Sequence, residues 1–293
     1  MSVTAVLLVL LSAATHAYWN YLLKRAGGSH AFVAISKASE AIVYLPVFLV
    51  VAWRAPASSM DGLGLYVAVG TVFVLASYVT LAAAYKHGDL SFTYPIARGG
   101  ALLFLPALGA VFLDEHVGPL GWWAIAAIIA GVVVMQLPHL TWASARGFWS
   151  HASGPATLLA LLMAFLLATG TIWDKRAVLA VPLFAYFYGY TAAAGVCYLA
   201  FVTWRRGPAV VRAEWAAHKR PAIAVGVLNT ISYGLALFAL RDGGSTYVVG
   251  LRQVSIAVGV ALGAFLLGEH VSVPRRVGVG LVLAGCFLMA WGR

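Results

Sequence analysis

Long apolar runs follow one another along the chain, separated by short breaks that contain charged residues, Gly or Pro. Each run has about 20 residues, the length of helix that crosses a hydrocarbon core of about 30 Å. The pattern predicts transmembrane helices over residues 3–23, 31–53, 63–85, 91–113, 119–138, 155–173, 182–204, 221–240, 245–268 and 275–292. The predicted fold class is therefore an all-α integral membrane protein with ten transmembrane helices, located in the cell (inner) membrane.

Composition supports this fold class. Of the 293 residues, 62% are hydrophobic and 10% are charged, whereas soluble domains have about 25% charged residues. The formal net charge of +10 comes from basic residues in short loops, which is typical of membrane topology signals and does not indicate nucleic-acid binding. Loop Lys and Arg residues are more numerous on the side opposite the termini, so the positive-inside rule predicts both termini outside the cytoplasm.

The two halves of the sequence repeat each other. A shift of 154 residues superposes Trp19 on Trp173, Arg98 on Arg252, Glu115 on Glu269 and His116 on His270. We therefore predict a first repeat over 1–138, a linker over 139–154 and a second repeat over 155–293. Because each repeat has an odd number of crossings, the second repeat must have the opposite orientation. Inverted repeats are typical of secondary transporters, which bind their solute near the membrane midplane.

Three short motifs carry a family resemblance. They are Trp19-Asn20 followed by Lys24, Phe112-Leu113-Asp114-Glu115-His116 at the end of the Arg98 helix, and Phe265-Leu266-Leu267-Gly268-Glu269-His270 in the second half. With the helix count and the repeat, the chain resembles the EamA family of the drug/metabolite transporter (DMT) superfamily. The resemblance implies a secondary carrier, often an exporter of amino acids or other metabolites, without an ATP-binding part. The sequence departs from a clean duplicate at Asp174, where the first half has Asn20.

Ionisable residues inside predicted helices are candidates for function, because a central charge costs roughly 2.5–3.5 kcal/mol on insertion scales. They are His16, Lys37, Glu40, Arg98 and Arg252. Glu40 is the only carboxylate predicted inside a helix, and Lys37 lies three residues earlier on the same face. The two residues could form an internal ion pair, or Glu40 could bind substrate or a proton.

Arg98 and Arg252 occupy equivalent positions in the two repeats. Their guanidinium groups could bind an anionic group such as a substrate carboxylate, or the side chains could snorkel to the helix ends. Pro95, Gly99 and Gly100 around the first Arg, and Gly250 before the second, predict bends at these points.

Aromatic and polar residues near the breaks complete the set of substrate-binding or coupling candidates. They are Trp19, Asn20, Tyr78, Tyr94, Trp173, Tyr186, Tyr190 and Tyr247, although the commoner location of such aromatics is the membrane interface. His16 has no second His at i+4, and Cys197 and Cys286 lie in separate apolar runs. We therefore predict no metal site, no disulfide and no cofactor.

These observations predict a secondary active transporter, an exporter or exchanger of a small organic metabolite, that works by alternating access around a central cavity. Amino acids, including aromatic or apolar ones, are the leading substrates, and protons are a candidate coupling ion. The alternative is efflux of a drug-like or cationic solute. An intramembrane enzyme or a channel is less favoured, because the sequence has no Ser/His/Asp order, no Gly-rich phosphate loop and no repeated filter loop.

Overall fold

The computed structural model describes residues 2–87, 96–150 and 154–291. Its helices are α1 (Val3–Arg25), α2 (His30–Arg54), α3 (Leu63–His87), α4 (Ala101–Leu113), α5 (Pro119–Met135), α6 (Trp142–Ser150), α7 (Pro155–Ala180), α8 (Leu183–Arg206), α9 (Pro208–Asp242), α10 (Ser245–Leu251), α11 (Val254–Leu267) and α12 (Val273–Trp291). A 3₁₀ turn, Ala57–Met60, connects α2 to α3. No strand is present among the described residues.

Nine of the described segments are long and apolar enough to cross a membrane, and α5 is a shorter apolar helix of 17 residues. These segments correspond to the ten predicted spans and confirm a multi-pass, all-α integral membrane protein. Large apolar side chains cover the outer surface, such as Phe265 and Val111, which are 86% and 75% exposed. Lipid is the solvent that accepts such a surface.

Three helices differ from the sequence prediction. Helix α7 continues to Ala180, seven residues beyond its predicted end, so Asp174 lies inside the helix. Helix α9 begins at Pro208 and is kinked at His218, where the backbone leaves helical geometry. The linker, predicted as a solvated connection, contains the nine-residue helix α6. In each case a polar or charged residue marked the predicted break, although these residues are compatible with helical backbone when their side chains find partners.

The helices that carry the two equivalent arginines are both interrupted. A helical turn at 96–99 precedes α4, and the regular helix is interrupted at Gly100, whose carbonyl oxygen accepts a 3₁₀-type hydrogen bond from Leu103 N–H. In the second half, Arg252 and Gln253 separate α10 from α11. These interruptions fall where the bends were predicted. The backbone keeps right-handed helical angles there, and 3₁₀-type hydrogen bonds replace α-helical ones near each Arg.

The pairing of the helices is symmetric between the two halves. Helix α1 packs on α9 as α7 packs on α3, and α1 packs on α11 as α7 packs on α4. Helix α2 packs on α9 and α8 on α3, while α2 contacts its counterpart α8 and α5 contacts its counterpart α12. Exchanging each helix with its counterpart leaves this pattern unchanged, as a two-fold relation between repeats requires.

Glycines allow the closest of these contacts. A Cβ atom at Gly278 of α12 would lie 2.5 Å from the Gly131 carbonyl oxygen of α5 and would overlap Met135 Cγ of the same helix. A Cβ at Gly131 would lie 2.6 Å from the Gly278 oxygen. The two backbones are therefore in direct contact, the small-residue packing found in membrane helices.

Candidate functional site

One intramembrane carboxylate, Glu40, forms an ion pair on α2. Its Oε2 atom lies 2.9 Å from Lys37 Nζ, and the two side chains are 2% and 16% exposed. The i, i+3 spacing brings the charges together on one face of the helix, as the sequence predicted.

Helix α9 completes the coordination of Glu40. Asn229 Nδ2 donates to both carboxylate oxygens at 3.1 Å, and Thr230 Oγ1 donates to Oε1 at 2.9 Å. Gly226 permits this approach, since a Cβ there would lie 2.7 Å from the Ser36 carbonyl oxygen. We name Lys37, Glu40, Asn229 and Thr230 the Glu40 cluster. The Glu40 carboxylate is surrounded by three donor groups. Two of them, the Lys37 ammonium and the Asn229 NH₂, cannot accept a hydrogen bond.

A second intramembrane carboxylate, Asp174 of α7, corrects the expectation that Glu40 is the only one. Asp174 is buried, and its Oδ1 accepts a hydrogen bond of 2.6 Å from Tyr186 OH of α8. Its Oδ2 accepts one of 3.0 Å from Tyr233 OH of α9. The ring of Tyr190 packs against both tyrosines, with centroids 5.0 and 6.3 Å away.

Arg252, at the break between α10 and α11, joins this group. Its guanidinium carbon lies 5.1 Å from the centre of the Tyr233 ring, in cation–π geometry. Its Nε donates to Ser12 Oγ of α1 at 3.1 Å. Ser12 and Ser232 exchange hydrogen bonds with each other's carbonyl oxygens at 2.6 and 2.8 Å, which fixes α1 against α9. We name Asp174, Tyr186, Tyr233 and Arg252 the Asp174 cluster.

Three buried polar atoms next to this cluster accept or donate no hydrogen bond among the described residues. They are His16 Nε2, Trp19 Nε1 and Gln253 Oε1. The His16 ring meets the edge of Trp19 at a centroid distance of 4.9 Å. Both Arg98 and Arg252 lie within electrostatic range of His16. Unsatisfied polar atoms are rare inside membrane proteins and point to a ligand or to water.

Several other predicted residues have partners outside the two clusters. Asn20 Nδ2 donates to the His16 carbonyl within α1 at 2.7 Å, and Trp173 Nε1 donates to the Tyr66 carbonyl at 3.1 Å. Tyr78 of α3 contacts the ring of Tyr198 at 5.8 Å. Tyr247 OH accepts a hydrogen bond of 3.0 Å from Gly118 N. Tyr94 lies outside the described residues.

Equivalent glutamates close the ends of the two broken helices. Glu115 follows Asp114, which has a left-handed φ of 55°. The backbone N–H of Glu115 donates to the Gly109 oxygen at 3.0 Å. Its Oε2 accepts hydrogen bonds from Ser245 N and Oγ, at 2.7 and 2.6 Å, at the start of α10. Its other oxygen lies 3.9 Å from Lys175 Nζ. These contacts shield the Glu115 side chain, which is only 18% exposed.

The opposite end repeats this turn with a more exposed ion pair. Gly268, with φ of 67°, precedes Glu269, whose N–H donates to the Gly263 oxygen at 3.1 Å. Glu269 pairs with Lys24 at the end of α1, and these side chains are 35% and 64% exposed. The contacts of Glu115 at one end of the bundle are therefore more buried than the contact of Glu269 at the other end.

A cavity of about 300 Å³ lies elsewhere, between the start of α2 and the end of α8. It is lined by His30, Phe201, Val202, Arg205 and Arg206 and contains no predicted site residue. We place the candidate site at the Asp174 cluster instead, since its Arg252 contacts Ser12 of the first half and lies within electrostatic range of His16. Among the described residues, no three His, Cys, Asp or Glu side chains are grouped so that they could hold a metal ion.

Fold and site together define a multi-pass membrane protein with buried polar groups between two sets of helices. Residues 154–291 match the model of the EamA-like transporter family. This half of the chain therefore belongs to that family, and the resemblance found in the sequence is confirmed.

The chain is also similar to one curated protein over a short stretch and to one solved structure in fold. A WAT1-related protein of Arabidopsis thaliana is 32% identical over 68 residues, and the match spans 23% of this chain and 19% of that protein. A crystal structure of another protein superposes with a TM-score of 0.75 at 15% identity, covering 99% of this chain and 98% of that chain. The latter likeness shows a shared fold.

The sequence missed four residues that the structure places at the two clusters, namely Asp174, Tyr233, Asn229 and Thr230. Asp174 had a signal, because the shift of 154 residues aligns it with Asn20 next to the aligned tryptophans, and a shift of 155 aligns Tyr233 with the candidate Tyr78. The others contact carboxylates on distant helices, which no local pattern reports.

Proposed function

We propose that the protein is a secondary active transporter that exports or exchanges a small organic metabolite, with amino acids as the leading substrates. One observation carries this proposal. Arg98 and Arg252 lie at helix breaks in opposite halves, and both are within electrostatic range of His16, whose Nε2 atom has no described partner. Broken helices with buried polar groups at a repeat interface are where secondary transporters bind their solutes.

The chemistry of this region favours a solute with a carboxylate. Guanidinium groups bind carboxylates through two parallel hydrogen bonds, and the neighbouring rings of Trp19 and Tyr233 offer apolar faces to an organic side chain. Glu40 is a weak candidate for the substrate ammonium, because Lys37, Asn229 and Thr230 already surround it.

Alternating access requires that the contacts at the two ends of the helix bundle open in turn. We propose that the two halves are inverted repeats, supported by the symmetric helix pairing. In this mechanism the Glu115 contacts with Ser245 and the Glu269 contact with Lys24 break and form as the site opens to either side.

Transport by purified protein in liposomes tests the proposal. The panel contains labelled amino acids, organic cations and sugar phosphates, each offered with and without a pH gradient. We expect uptake of carboxylate-bearing solutes, with amino acids preferred. Transport of organic cations alone, or of nothing in the panel, would contradict the proposal.

Two variants assign the role of Arg252. Arg252→Gln is expected to abolish uptake of carboxylates, and Arg252→Lys to retain part of it, because Lys keeps the charge but loses the bidentate geometry. Arg205→Gln is the matched control, since Arg205 is exposed at the end of α8 and lies over Trp204. Unchanged uptake by the Arg252→Gln protein would remove Arg252 from the site.

A further inference from the structure

The two intramembrane carboxylates have chemically different partners. Glu40 is held by the ammonium of Lys37 and the amide NH₂ of Asn229. Both groups are donors only and have no lone pair to accept a proton from a carboxylic acid, whereas the third partner, the Thr230 hydroxyl at Oε1, can accept as well as donate. A proton on Glu40 Oε2 would therefore face two donors, so the Glu40 cluster accommodates a proton less well than a set of hydroxyl groups would.

Asp174 is held by hydroxyl groups alone. Tyr186 OH and Tyr233 OH approach its two oxygens at 2.6 and 3.0 Å. A hydroxyl donates to an ionised carboxylate and accepts from a protonated one. Both protonation states of Asp174 can therefore be hydrogen-bonded without moving any heavy atom of the site.

The charge of Asp174 is not neutralised by an ion pair with a described residue. Arg252 lies within electrostatic range of Asp174 and packs on the ring of Tyr233, whose hydroxyl donates to Asp174. An ionised carboxylate inside a membrane without a bound cation is costly, and a proton removes that cost.

The titratable groups around Asp174 come from each helix that packs on α7. Helix α3 contributes Tyr66, α8 contributes Tyr186 and Tyr190, and α9 contributes Tyr233. Arg252 follows α10, whose Tyr247 lies against Gly118 instead, and Ala101–Leu113 of α4 contains no titratable residue. Lys175, next in the chain, points instead to the carbonyl oxygens of Leu240 and Gly243. No second carboxylate among these groups competes for the proton.

We propose that Asp174 is a proton-binding site, and that Tyr233 transmits its protonation state to Arg252. When Asp174 is ionised, both tyrosines donate to it. When a proton from water binds an Asp174 oxygen, that new O–H donates to a tyrosine oxygen, and the tyrosine hydroxyl must turn away. For Tyr233 this turns the O–H dipole of the ring on which Arg252 packs, so that the electrostatic field at the guanidinium changes while the ring stays in place. The coupling role rests on the proposed transport function, whereas the proton site itself does not.

Infrared difference spectroscopy of the purified protein between acid and alkaline buffer tests the proton site without any solute. We expect a carboxylic acid C=O band, shifted in D₂O, that is present in the unaltered protein and in Glu40→Gln but missing in Asp174→Asn. Tyr233→Phe, which keeps the carboxyl group and removes one hydrogen bond, should shift that band. Spectra of the unaltered protein and of Asp174→Asn that agree, together with an unshifted band in Tyr233→Phe, would overturn the proposal.

Liposome transport tests the coupling. Asp174→Asn is expected to lose accumulation driven by a pH gradient while retaining exchange of the solute at equal concentrations, and Asp61→Asn, at an exposed position before α3, serves as the matched control. Accumulation by Asp174→Asn equal to that of the unaltered protein, or accumulation driven by Na⁺ and not by pH, would overturn the coupling. If the unaltered protein moves no solute, the proposed function fails while the infrared result still decides the proton site.

Discussion

Glu40→Gln is the most informative single substitution for separating packing from transport. Glu40 accepts four hydrogen bonds, two at each oxygen. A Gln side chain keeps the shape but has one oxygen, so its NH₂ group must face either the Lys37 ammonium or the Asn229 amide. Both are donors, and the variant therefore loses its interactions on one side.

The expected cost follows from these contacts. A hydrogen bond to a charged group contributes about 1.5–3 kcal/mol and a neutral one about 0.5–1.5 kcal/mol. Removing one partner of a buried ion pair costs about 3–5 kcal/mol. Because the Lys37 side chain is not fully buried but 16% exposed, we expect a loss at the lower end of this range, about 3 kcal/mol in the free energy of unfolding.

Lys37→Met combined with Glu40→Gln removes both charges and should recover most of this loss. The coupling free energy between the two sites is expected to be about 2 kcal/mol, at the upper part of the range for residues in contact. Unfolding of the four proteins in detergent by added SDS measures the cycle. Liposome transport by the double variant is expected to match that of the unaltered protein.

Two results would refute this reasoning. A Glu40→Gln protein within about 0.5 kcal/mol of the unaltered one would show that the pair does not stabilise the fold, because that is the range of ordinary surface substitutions. A double variant that is stable but does not transport would assign Glu40 to the transport cycle.

The remaining predictions concern the packing of α5 on α12, the contact of Glu115 with Ser245, and the orientation of the chain in the membrane. Gly278→Val should abolish recovery of folded protein in detergent, because its Cβ would meet the α5 backbone. Gly280→Val is the control, since a Cβ there meets nothing within 4 Å and folded protein should still be recovered. Equal recovery of the two variants would contradict the α5–α12 contact. Glu115→Gln should speed hydrogen exchange in Ser245–Leu251 through loss of a charge-assisted hydrogen bond to Ser245, with Glu269→Gln as the control that leaves this segment unchanged. Reporter fusions should place both termini outside the cytoplasm, and cytoplasmic activity at the C-terminus would contradict the loop-charge count.

Local patterns in the sequence were enough for the helices and for two features of the site. Apolar length located the ten spans because each helix must satisfy its own backbone hydrogen bonds in lipid. The spacing of Lys37 and Glu40 gave their pairing because residues three apart share a helix face. The glycines around Arg98 and Arg252 located the helix breaks, since Gly weakens a helix locally.

Only the tertiary structure decided which of the polar residues act together. Asp174 was assigned to the end of a helix because a carboxylate inside an apolar run is costly, yet hydroxyls from α8 and α9 stabilise it well inside α7. The contact of Arg252 with Tyr233 and the contact of Asn229 with Glu40 likewise join residues from separate helices. Such contacts depend on how helices cross in three dimensions, and one sequence reports the period of each helix but not the helix that it faces.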